Sequence, residues 1–76
     1  MGQGFVPVHV ECYAGYRGEQ TPRRIHFQEQ TVRVEKVLDQ WVEPEHRYFK
    51  VRTEDGATWL LRVAHGSLSW EIAATS

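Results

Sequence analysis

The chain has 76 residues, enough for one domain and too few for two. Nine basic and ten acidic side chains leave a net charge of −1, which excludes a polyanion binder acting on bulk charge, and 41% apolar residues exclude a disordered chain. Cys12 stands alone, so no internal disulfide forms, and no apolar run suffices for a signal peptide or a membrane span.

Residues 1–4 are expected to be a flexible start, and 5–76 one small β domain without membrane contact, placed in the cytoplasm. Val6, Val8, Val10 and Cys12 alternate on one face of a first strand, with Pro7, His9 and Glu11 on the other. Proline cannot donate to a ladder, so Pro7 predicts an edge strand. A polar loop follows over Ala14 to Pro22, then a second strand, Arg23 to Gln28, with Ile25 and Phe27 on one side. The turn Gln28 to Thr31 has no glycine, which predicts about four loop residues rather than a tight pair.

Thr31 to Trp41 reads two ways. Val34, Val37, Leu38 and Trp41 fit a two-turn helix, but the alternation of Val32 and Val34 favours a long strand whose phase slips near Glu35 and Lys36 through a β-bulge. Pro44 lies in the turn Val42 to His46. Beyond it Phe49, Val51 and Thr53 alternate, as do Trp59, Leu61 and Val63. Opposed residues of an antiparallel pair share a face, so a three-residue loop, Glu54-Asp55-Gly56, is needed to set Val51 against Trp59 and Phe49 against Leu61. Gly56 then stands where a type I turn with a G1 bulge needs positive φ. For the last hairpin a two-residue His65-Gly66 loop would set Leu61 against Trp70, Val63 against Leu68 and Trp59 against Ile72, with Glu71 opposite Leu60. The whole predicts an all-β domain of about six short antiparallel strands in up-and-down order, curled into a half-open barrel or roll. Its central core is Phe49, Val51, Trp59, Leu61 and Trp70.

Chemistry is sparse. His9, His26, His46, His65 and Cys12 form no close-spaced pair of the kind structural zinc sites use, and Cys12 falls on an apolar face. No Gly-rich loop precedes a helix, Ser67 and Ser69 have no nucleophile-elbow context, and Glu43 and Glu45 flank a proline as solvated turn residues. No enzyme activity, cofactor or metal is expected. Seven of the nine basic residues are arginine, whose planar fork suits carboxylates, phosphates and aromatic faces. Tyr16, Arg17, Arg23 and Arg24 crowd the long loop and its end, and the register pairs Tyr48 with Arg62. These six are the candidate surface, either for another protein or for single-stranded nucleic acid, with a simple Tyr48–Arg62 cation–π contact as the plainest reading.

The stretch from Tyr13 through Arg24, Val37-Leu38-Asp39-Gln40-Trp41, Tyr48-Phe49-Lys50-Val51-Arg52, Asp55-Gly56 and Leu60-Leu61-Arg62 resembles a family of small bacterial β domains of unknown function. Those domains are similar to the C-terminal tails of Y-family translesion-polymerase-like proteins. The resemblance runs from Val8 to Ile72 and implies a bacterial cytosolic β domain, with a DNA-repair accessory role as a secondary expectation.

Overall fold

The computed structural model describes residues 4–14, 20–67 and 69–74. Six antiparallel strands follow one another in up-and-down order: β1 (Gly4–Ala14), β2 (Gln20–Phe27), β3 (Gln30–Val42), β4 (His46–Thr53), β5 (Thr58–Ala64) and β6 (Trp70–Ala74). The sheet goes further than a half-open roll. β6 returns to β1 and the barrel closes. No helix is available among the described residues to cover an apolar face, so the sheet buries that face against itself. Gly4, expected in the flexible start, already pairs with Ala74.

Closure depends on two long strands that change partners part-way. β1 pairs with β6 over Gly4–Val8 and with β2 from His9 to Ala14. β3 pairs with β2 over Gln30–Phe27 to Arg33–Arg24, and with β4 from Val34 onward. The result is a larger sheet (β3, β4, β5, β6 and the first half of β1) folded over a smaller one (second half of β1, β2 and the start of β3). Bulges mark the bends, because an unpaired extra residue curls a strand. The expected slip at Glu35 is present between Val34 and Lys36, a second one occurs between Val37 and Asp39, and a third sits between Glu11 and Cys12. Pro7 is thus not on an edge strand of an open sheet. It pairs with Glu71, in the half of β1 whose other side has no strand among the described residues, so its missing N–H disrupts no second ladder.

The β4–β5 hairpin has the expected register, with Phe49 opposite Leu61 and Val51 opposite Trp59. The Gly56 amide donates to the Thr53 carbonyl at 2.9 Å, and Gly56 has φ of 89°. Two other hairpins differ from expectation. Gln28 and Glu29 form a tight two-residue turn between the paired Phe27 and Gln30, both with positive φ (52° and 64°). Two non-glycine residues take the conformation that a type I′ turn demands because the paired strands impose it. The β5–β6 pairing is displaced by two residues: Leu61 faces Ile72, Arg62 faces Glu71 and Val63 faces Trp70. The connection is correspondingly longer, with Gly66 at φ 74° and the Ser67 amide on the Ala64 carbonyl at 3.1 Å. The expected partner of Val63, Leu68, lies outside the described residues.

The core holds Phe49, Val51, Leu61 and Trp70 as expected, joined by Val10, Ile25, Val63 and Ile72. Trp59 is half-buried and packs on the flank of this cluster instead of at its centre. Its indole N–H is the reason: Nε1 donates to Thr53 Oγ1 at 3.2 Å, and Thr53 in turn donates to Asp55 Oδ1 at 2.5 Å. A buried indole or hydroxyl needs a partner, and this chain of bonds supplies both at the end of the barrel.

Candidate functional site

Side chains that point outward from the larger sheet form one row across it: Trp41, Tyr48, Arg62 and Glu71, each opposite the next. The Trp41 and Tyr48 rings stack with centroids 5.2 Å apart and planes within 3° of parallel. Glu43 Oε2 accepts the Trp41 Nε1 proton at 3.2 Å and fixes the indole. Phe5, diagonal to this row on β1, meets Tyr48 edge-on at 6.2 Å. The Arg62 guanidinium lies 3.8 Å above the Phe5 ring and donates from Nε to Glu71 Oε1 at 2.6 Å. Partial burial works against the Arg62 charge, but bonding by Glu71 and Tyr48 outweighs it, so the group is held charged. Phe5, Trp41 and Tyr48 are all half-exposed on the outside of a barrel whose core is already filled.

The expected Tyr48–Arg62 register is present, yet arginine stacks on Phe5 and tyrosine on Trp41. Sequence reasoning overlooked both Trp41 and Phe5. With the one expected slip at Glu35, Trp41 would share the inward face of Val37. The second slip, at Leu38, turns it out onto Tyr48. No glycine or proline stands beside Leu38, and a single Asp39 does not by itself signal that second bulge.

The smaller sheet carries a separate polar band. Glu11 faces Arg24, and Arg24 faces Arg33. Arg24 Nη1 donates to Glu11 Oε1 at 3.2 Å, and the other Glu11 oxygen accepts from His26 Nε2. His26 Nδ1 is 3.0 Å from Thr31 Oγ1, and the His9 ring lies beside it with centroids 5.1 Å apart. The His26 bond, followed by weaker charge and arginine contributions, holds the Glu11 carboxyl below the usual range. Arg23, in the β1–β2 bulge region, lies 5.2 Å over the exposed Tyr13 ring.

The six candidate residues are therefore not one site. Tyr48 and Arg62 belong to the larger sheet, and Arg23 and Arg24 to the smaller. Tyr16 and Arg17 lie outside the described residues. Glu71, expected opposite Leu60, sits opposite Arg62 and binds it. Cys12 lies near Arg47 at one end of the barrel, and burial raises its thiol pKa. Among the described residues no group of three or more His, Cys, Asp or Glu side chains is placed to hold a metal ion. Comparison of the chain with protein-family models, with curated proteins and with solved structures gives no match.

Proposed function

We propose that this domain is a non-enzymatic protein-interaction module whose contact surface is the outer face of the larger sheet, centred on Trp41 and Tyr48. The observation that carries this reading is the half-exposed aromatic group Phe5, Trp41 and Tyr48, stacked outside a core that does not need it. Tyrosine, tryptophan and arginine are the residues from which interface hot spots are built: the two aromatics offer large rigid area at low entropic cost, and arginine a planar fork that stacks and hydrogen-bonds. The neighbouring pairing of charges supports a protein partner over single-stranded nucleic acid. Arg24, Arg33 and Arg62 each hold a carboxylate, from Glu11, Glu54 and Glu71. A phosphate would have to displace an intramolecular anion at each of them, and the basic groups are split between two sheets.

A photo-reactive benzoylphenylalanine in place of the exposed Lys50, on the same outer face, tests the reading. Discrete protein crosslinks are expected in extract of the source cells, lost in the Trp41→Ala/Tyr48→Ala background and absent when the probe replaces Glu29 at the far β-turn. A fluorescent single-stranded oligonucleotide that binds tightly near physiological salt, weakens steeply as salt rises and is released by Arg24→Glu with Arg62→Glu would instead establish the nucleic-acid reading, and with it the DNA-repair role.

A further inference from the structure

One end of the barrel is not filled. A hollow of about 50 Å³ opens there against the buried Ile25 and Ile72 and the half-buried Val32. Phe27 lies opposite Gln30 and Ile25 opposite Val32, so these four side chains share the inward face of the smaller sheet. Trp59 completes the wall from β5, its ring 6.2 Å from that of Phe27 and inclined to it by 58°. Gln30 and Asp55, the latter in the β4–β5 turn, supply the polar groups. We propose that this hollow binds a quaternary ammonium head, a trimethylated nitrogen carried by a small molecule or by a lysine side chain of another protein. The site is separate from the Trp41–Tyr48 surface, which lies towards the other end of β4.

Size selects the head. A water-sized group needs about 10–15 Å³ of free space, so the hollow admits about four of them. That matches a nitrogen with three methyl groups. An apolar cavity that accepts benzene is about three times larger, roughly 150 Å³, so an aromatic ring is too big.

Charge separates a cation from a neutral head of the same shape. The Trp59 indole is fixed by its Nε1 bond to Thr53 Oγ1, so one aromatic wall is preorganised. A ring attracts a cation over its face within about 6 Å of its centroid, and a group seated in so small a hollow comes within that reach. Asp55 adds a full negative charge, kept ionised by the Thr53 hydroxyl and the Ala57 amide on Oδ1. No lining residue is cationic, and Arg33, beside Val32, is on the outer face, held by Glu54 at 3.6 Å. A bare ammonium suits the hollow less well. Its three N–H groups need acceptors, and the lining side chains offer only the Asp55 carboxylate and the Gln30 amide oxygen. Methylation removes those donors and leaves the charge in an apolar shell that fits Ile25, Val32 and Ile72.

The test titrates tetramethylammonium, choline and dimethylbutanol, the neutral carbon isostere of choline, into the ¹⁵N-labelled full chain. The Trp59 indole signal, assigned with Trp59→Phe, should shift with millimolar choline or tetramethylammonium. Their methyl protons should move upfield, as they do over a ring face. Asp55→Asn, whose amide oxygen can still accept from Thr53 and Ala57, should weaken choline about fivefold (~1 kcal/mol) and leave the isostere unchanged. Phe27→Leu keeps the apolar filling without the ring, and with an unchanged circular dichroism spectrum it should weaken choline more than the isostere. A Trp59 signal unmoved by tens of millimolar choline, methyl protons that do not move upfield, or equal affinity for choline and its isostere overturns the proposal. A trimethyl-lysine peptide, set against the same peptide with unmodified lysine, then identifies the carrier. Tighter binding than choline places the head on a protein and weaker binding places it on a small molecule. An unmodified peptide that binds as well as the trimethylated one overturns the quaternary head.

Discussion

Single side chains decide more here than alternation does. Trp70 is 4% exposed and packs against Phe49 with ring centroids 5.5 Å apart. Trp70→Ala should cost about 3–5 kcal/mol, which is of the order of the whole stability of a domain this small. Thermal melting checks this, and a variant within a few degrees of the parent would remove Trp70 from the core. Thr53 is fully buried with a polar hydroxyl, a placement that alternation assigns correctly but cannot explain. The explanation is its link between Trp59 and Asp55. The Thr53 hydroxyl, followed by the Ala57 amide at 3.2 Å, holds the Asp55 carboxyl below its usual range, as His26 does for Glu11. A carboxyl with a depressed folded pKa adds stability above its unfolded value and loses it as the pH falls through the folded one. Denaturant midpoints should therefore begin to fall near the ordinary values, 4.5 for Glu and 3.8 for Asp, and keep falling until both folded groups are protonated. Asp55→Asn with Glu11→Gln should be less stable than the parent at neutral pH and lose less on acidification. An identical acid profile in that variant would place the pH dependence elsewhere.

At the scale of elements, the legible hairpin and the misread one differ for a definite reason. The β4–β5 loop is readable because only an odd loop keeps Phe49 and Val51 on the side of Trp59 and Leu61, and Gly56 falls where positive φ is needed. The β5–β6 pairing can slide by two residues with every inward side chain still inward, so the pattern does not distinguish Leu61 opposite Trp70 from Leu61 opposite Ile72. What separates them is which neighbours then meet, and the observed register gives Arg62 the Glu71 carboxylate. The Gln28–Glu29 turn was illegible because it violates its own sequence preference: left-handed backbone costs an ordinary residue about 1–2 kcal/mol. The strain can be relieved. Gln28→Asn with Glu29→Gly should stabilise the domain by about 1 kcal/mol or more in chemical denaturation. A destabilised double variant would mean that the side chains of Gln28 and Glu29 contribute more than their backbone costs.

For the molecule as a whole, the alternation announces an all-β chain but not closure, because closure lives in where β1 and β3 exchange partners. The bulges at Glu11/Cys12, Val34/Lys36 and Val37/Asp39 bend the two long strands beyond the points where they change partners, Val8 to His9 in β1 and Arg33 to Val34 in β3, and only the one at Glu35 left a trace in the sequence. The second slip in β3, past the point where that strand leaves β2, is what presents Trp41 outward onto Tyr48. The seam that closes the barrel is the pairing of Gly4–Val8 with Trp70–Ala74. Removing residues 1–8 should unpair β6 along that side, uncover the core beside Trp70 and Ile72, and withdraw Phe5 from beneath Arg62. An unpaired strand edge over an exposed apolar core recruits other chains. The truncated protein should therefore unfold, or associate through β6, as light scattering after gel filtration would record, and its thermal transition should fall or broaden. A truncated chain that stays monomeric and melts like the parent would show that the barrel does not depend on this seam.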